Sequence, residues 1–209
     1  MEQKNFLTTP EAILAATEKL LKEKGNVTIK EIADLAFVNI AAINYHFRSK
    51  DELLQLVIEK AITELRTRIV EIIVKYEQNQ ESFESVMTRI IDVIFDFAEE
   101  NTGIINYSFY QIATKSQARN VLVDFFLADD EFTSLISAHL RKALPHATND
   151  QLYAKYLIIF SSFAVPFFLS FSLMQNDGKV KDETKEYRVR YIERYRNDYI
   201  EELKRILAN

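Results

Sequence analysis

Three helix-opening signals fall within the stretch Thr28 to Leu54, TIKEIADLAFVNIAAINYHFRSKDELL. Thr28 and Glu31 form a capping box: the Thr hydroxyl suits the Glu31 amide while the carboxylate reaches back. Val27 is placed to staple onto Ile32. Asn39 is a good N-cap for a second helix, and Ser49 with Glu52 forms a second box that opens a third. Signals this close leave room only for two short helices, a tight turn between them, and the head of a longer helix.

The rest of the chain reads as helical too. It holds three Gly and three Pro in 209 residues, too few breakers for a sheet-rich fold. Helix 1 is expected to start at Thr9 with Pro10 in first position, to bury Ile13, Ala16, Thr17, Leu20 and Leu21, and to stop at Gly25. Helix 4 carries Leu53, Leu54, Val57, Ile58, Ala61, Leu65, Ile69 and Ile72 at helical spacing up to a polar break at Glu77–Glu81. Helix 5 covers Ser82 to Glu100, and Gly103 is read as the break before an aromatic segment, Ile104 to Ala113. One or two helices follow between Ser116 and Leu144, then a loop from Pro145 to Asp150. A strongly apolar helix runs on to Met174, and an amphipathic one spans Thr184 to Leu207. The expectation is an all-α protein of about nine helices. A three-helix head, 1–50, precedes a helical bundle, 51–209.

On a helical wheel, Ile43 and Phe47 of helix 3 share one face and, with Val38, suit packing on helices 1 and 2. Ile40, Ala41, Ala42, Asn44 and Tyr45 then point away, with His46 at the edge. That surface is poor for water and sensible for the major groove. Alanines let the backbone approach and touch a thymine methyl, and Asn bonds an adenine edge. Tyr45 and His46 suit phosphates. Lys50 lies in the first turn of helix 4, where free amides and a cation together suit a phosphate, and Thr28 and Asn39 occupy helix starts of the same kind. Each residue also has a plainer reading: a local bond for Asn44, packing on helix 1 for His46, an ordinary surface lysine for Lys50.

IADLA, the turn, NYHF and SKDELL together resemble the N-terminal domain of the tetracycline-repressor (TetR/AcrR) family of bacterial regulators, over about residues 10–60. The resemblance implies a homodimer whose two heads bind adjacent major grooves of a palindromic operator. It also implies a helical C-terminal domain that dimerises through its last two helices and binds a small effector that releases DNA. Two positions depart from the family pattern: Phe37 where the turn usually has Gly, and Asn44 where the recognition helix often has Tyr. A nucleoid or division factor of the same fold, without ligand control, is the competing reading.

The body says less. Tyr156 to Asn176 carries no charged residue and is long enough for a bilayer, but four serines and Pro166 interrupt it. The resemblance favours a buried helix kinked at Pro166. Tyr107, Phe109 and Tyr110, with Phe163 and Phe167 opposite, are candidate linings of a pocket for an apolar or aromatic ligand, although aromatic residues at helical spacing are more often ordinary core. The interleaved Arg and Tyr of the last helix are matched by acidic residues, so a solvated or interface face is expected there.

Charge and chemistry narrow the function. Net charge is −5, but residues 1–50 carry seven Lys/Arg against six Asp/Glu, so a head of +1 precedes a body of −6. Such a head depends on specific contacts more than on bulk attraction. The chain has no Cys, His139 and His146 lack partners at metal spacing, and no phosphate loop or nucleophile motif is present. A non-enzyme without metal or cofactor is expected. The opening MEQKNFLTTP lacks a signal-peptide run, making the cytoplasm the expected compartment.

Overall fold

The computed structural model describes residues 7–79, 82–113, 124, 131–159, 161, 198, 201, 202 and 205, and these contain helices and no strand. In order they form α1 (Thr9–Lys24), α2 (Ile29–Ala36), α3 (Ile40–Phe47), α4 (Lys50–Asn79), α5 (Phe83–Glu100), α6 (Thr102–Ala113) and α7 (Glu131–Ala143), with residues 149–159 helical beyond them.

The chain divides into two compact units. The first comprises residues 1–68 and 93–125. In it α1 packs on α2, α3 and α6. Ile13, Leu21, Ile32, Ile43, Leu53, Leu54 and Ile58 are fully buried, so the inner faces of α1 to α4 meet in one core. Thr17 joins that core by donating its hydroxyl to the Ile13 carbonyl at 2.7 Å. Glu18 of α1 pairs with Lys22 and with Lys60 of α4, both at 2.8 Å. Burial works to raise the Glu18 carboxyl, and its bonds to the two lysines outweigh it and hold the group below its ordinary value.

The second unit comprises residues 69–92 and 126–209. Ile73, Ile91, Leu140 and Leu152 are buried there, and the Tyr76 and His139 rings lie 6.3 Å apart. His139 Nδ1 is 2.8 Å from the Leu135 carbonyl.

Four expected details change. The N-cap of α1 is Thr8, one residue early, and Glu11 Oε2 accepts from the Thr8 amide at 2.7 Å, leaving Pro10 in the second helical position. In the last turns of α4, Ile73 is buried and Ile72 only half-buried. The loop after α7 ends at Thr148, whose amide donates to Gln151 Oε1 at 2.8 Å and whose hydroxyl accepts from the Gln151 amide at 3.3 Å. A capping box therefore starts that helix at 149, two residues sooner.

The fourth change has the most structural meaning. Gly103 lies inside the first turn of α6, and the break between α5 and α6 is at Asn101. A β-carbon at Gly103 would overlap the Leu21 carbonyl and come within 2.7 Å of Lys22 O and 2.9 Å of Gly25 N. Gly103 is a packing glycine that lets α6 press backbone to backbone on the end of α1. Gly25 ends α1 in the left-handed conformation, φ 69°, with its amide on Leu21 O.

Residues 163, 166 and 167 and most of the expected terminal helix lie outside the described residues. Among the described residues no helix is long and apolar enough to cross a membrane.

Candidate nucleic-acid interface

α2 starts as the sequence implies. Thr28 Oγ1 accepts from the Glu31 amide at 3.2 Å, and Glu31 Oε2 accepts from the Thr28 amide and hydroxyl at 2.9 and 2.8 Å. Lys24 Nζ holds the other carboxylate oxygen at 2.6 Å. The Lys24 bond first, then the Thr28 amide and hydroxyl, pull the Glu31 carboxyl from 4.5 to about 2. Both donors of Thr28 are thus engaged by an anion of its own chain. Thr28 is a cap first, and could serve a phosphate only by exchanging Glu31 for it.

α3 starts at Asn39, whose side-chain oxygen accepts from the Ala42 amide at 2.7 Å. Its inner face is Ile43 and Phe47, both buried. Ile40, Ala41, Asn44, Tyr45 and His46 are exposed, Tyr45 to 83%, while Ala42 is half-buried on the flank. The Asn44 side chain makes no hydrogen bond among the described residues, so it is not tied up locally. His46 does not pack inward. Its ring meets Tyr45 edge to face at 5.1 Å and tilts over Phe47 at 6.3 Å. One side of this two-turn helix therefore presents amide, phenol and imidazole groups between small or apolar side chains.

The connections at either end of α3 are strained. Phe37 closes α2 with φ 55°, ψ 41°, its amide on Ala33 O and Asp34 O. Arg48 closes α3 with φ 58°, ψ −46°, and Ser49 N–H turns back to Phe47 O at 2.5 Å, a γ-turn of the uncommon positive-φ kind. These two are the non-glycine residues of positive φ among the described residues. A left-handed residue with a β-carbon costs roughly 1–2 kcal/mol. Packing does not hold Phe37 there: its side chain is 94% exposed. Arg48 is exposed and has no ion pair or side-chain hydrogen bond among the described residues. Its turn leads into α4, where Ser49 Oγ accepts from the Glu52 amide at 3.1 Å and Lys50, half-buried, occupies the first turn. Sequence reading missed Arg48, because side-chain type alone does not show that a turn will hold a cation out beside Lys50.

The aromatic residues of α6 do not share one environment. Tyr107 and Phe109 are buried and Tyr110 is exposed, with the Tyr107 and Tyr110 rings 6.4 Å apart. Burial pushes the Tyr107 phenol up. Phe163 and Phe167, expected opposite them, are outside the described residues. Among the described residues no cluster of His, Asp or Glu is placed to hold a metal.

Residues 13–57 match the sequence profile of a family described as bacterial regulatory proteins, tetR family. No curated protein matches the chain. Among solved structures, a TetR transcriptional regulator from Legionella pneumophila is 20% identical, covering 95% of this chain and 98% of that one, with TM-score 0.61. An HlyIIR mutant with an internal segment replaced by a GSSGSSG linker is 24% identical, covering 78% of this chain and 87% of that one, with TM-score 0.56. A second HlyIIR mutant, whose linker contains two thrombin sites, is 22% identical, covering 87% and 94%, with TM-score 0.51. At these identities the likeness is one of fold, and it extends well past the matched head. Residues 13–57, from α1 into the head of α4, are thus similar to the N-terminal domain of the tetR family of bacterial regulatory proteins, and beyond them the all-helical fold is similar to that of the solved regulators.

Proposed function

We propose that the chain is a ligand-responsive repressor that binds a palindromic operator as a homodimer and is released by a small apolar or aromatic effector. The observation that carries the DNA half of this reading is the outward face of α3. Ala41, Asn44 and Tyr45 stand exposed there while Ile43 and Phe47 anchor the helix from behind. Asn44 pairs with an adenine edge, Ile40, Ala41 and Ala42 lie against the groove floor, and Tyr45, His46 and Lys50 take phosphates. Asn39 and Thr28 border the same surface, and Arg48 adds a further phosphate contact.

Two observations support the rest. On the helix that begins at 149, Tyr153 and Ile158 are left 60% and 46% exposed. Large apolar side chains left in the open suit burial against a second copy. The close fit of Gly103 against the end of α1 ties the aromatic α6 to the head, so a ligand that shifts α6 displaces α1 with it. In this reading residues 1–50 form the DNA-binding head, residues 51–209 the effector and dimerisation body, and the protein works in the cytoplasm.

The test is binding to DNA upstream of its own or a neighbouring gene. Asn44→Ala and Tyr45→Ala are expected to lose binding with the fold intact; unchanged affinity in both overturns the contact assignment. Lys50→Ala and Arg48→Ala are expected to weaken all sequences alike, each lowering the salt dependence by about one ion.

A further inference from the structure

Among the described residues nothing accounts for the exposed, left-handed Phe37. Its ring is 94% exposed and does not anchor the strained backbone, and glycine would fill the turn without cost. An uncommon backbone conformation carrying a large, uncovered side chain calls for a contact outside the chain. We propose that Phe37 is an apolar DNA contact, its ring resting on the methyl group of a thymine at the edge of the operator half-site. The proposal rests on reading α3 as the recognition helix, and extends that surface beyond the helix itself.

Position argues for DNA as the occupant. Phe37 stands in the turn two residues before the Asn39 cap of α3, and Ile40, Ala41, Asn44 and Tyr45 follow as the exposed side of that helix. The exposed ring thus comes three residues ahead of Ile40, which is itself exposed at the leading end of α3. Chemistry narrows the target. A phenyl ring has no donor or acceptor, so against a polar base edge it would strip water and return nothing. The apolar group on the major-groove floor is the thymine methyl.

The experiment uses the full chain. A duplex operator is selected from a random pool by the parent protein, and each thymine in it is then replaced in turn by deoxyuridine, which lacks only that methyl. Affinities are measured for the parent, Phe37→Asn and Phe37→Gly. Asparagine tolerates the left-handed backbone and glycine relieves it, so both variants are expected to melt at or above the parent's temperature. One symmetry-related thymine position is expected to cost the parent about fourfold per half-site on losing its methyl, and to cost both variants nothing. If every thymine costs parent and variants alike, the proposal is overturned, even where the variants bind more weakly. That last pattern would move the ring to the sugar-phosphate backbone or to a neighbouring protein. Asn44→Ala separates the two claims. A parent that selects an operator and loses it with Asn44→Ala, but shows no thymine coupled to Phe37, defeats this inference alone. A parent that selects no sequence defeats both.

Discussion

α2 and α3 are built alike and face outward differently. Each has eight residues, each is capped at its start by a side chain, Thr28 or Asn39, and each ends on a residue of positive φ that is not glycine. Each buries a fully enclosed isoleucine, Ile32 or Ile43, in the same unit. The outward side of α2 carries Lys30 and Asp34, an ordinary solvated face. The outward side of α3 carries Ala41, Asn44, Tyr45 and His46, with neither a carboxylate nor a fixed cation. Inner faces of equal quality mean that the core does not distinguish the two helices. What distinguishes them is that only α3 could approach a polyanion without a carboxylate in the way.

The inner faces give the largest expected effect. Ile32→Ala and Ile43→Ala should each destabilise the protein by about 2–5 kcal/mol, since each empties a fully buried site. Chemical denaturation followed by circular dichroism measures this. If one variant is nearly silent, the two helices are not equivalent supports and the comparison breaks at its base.

The outer faces should part company next. Asn44→Ala is expected to lower operator affinity by about 5- to 150-fold, the cost of one lost bidentate base contact, with little change in melting temperature. Asp34→Ala on α2 is expected to leave affinity unchanged or to raise it by removing a negative charge near DNA. Equal losses from the two substitutions would mean that both helices read DNA. Fluorescence anisotropy with one labelled duplex compares them directly.

The caps come third. Thr28→Ala and Asn39→Ala should each cost about 1 kcal/mol by loss of an N-cap. Only the Asn39 variant should also change operator affinity by more than its stability loss explains, because Thr28 is occupied by Glu31 and Asn39 spends its side-chain oxygen on one amide.

Those caps were also what made the head legible from sequence. Thr28 with Glu31, Asn39, and Ser49 with Glu52 are local devices acting over three residues, so type and spacing suffice to place them. The wheel phase of α3 was legible for the same reason: Ile43 and Phe47 are four apart, one turn. Part of what stayed hidden depends on residues distant in the chain. Gly103 looked like a helix break because glycine usually is one; its role is set by the Leu21 carbonyl, more than eighty positions earlier. Ile72 and Ile73 are adjacent and equally apolar, so only the partner surface decides which is buried. The exposure of Phe37 was not legible either: a strained backbone is normally held by packing, and here the ring is in the open. Thr8 and Thr9 both precede Pro10, and only the reach of Glu11 selects Thr8.

The smallest effect is a titration, and it separates the two helix starts by chemistry alone. Glu31 caps α2 as a carboxylate, whereas α3 is capped by an amide that does not titrate. The folded Glu31 carboxyl is pulled from 4.5 to about 2, mainly by Lys24 and then by the Thr28 amide and hydroxyl. A depressed folded value means that the contribution is complete above about pH 4.5 and is lost as pH falls through about 2. The group is on the surface, so added salt should weaken the Lys24 part and move the midpoint upward. Followed by NMR, the Glu31 side-chain signal should titrate with its midpoint near the lower end of that window. The amides of the first turn of α2 should lose protection over the same range, while those of α3 keep theirs until the domain itself unfolds. A midpoint at the ordinary carboxylate value would show that the Lys24–Glu31 pair is not formed in solution. Simultaneous loss in both helices would show that α2 and α3 open as one unit, so that the difference between them is confined to their outward faces.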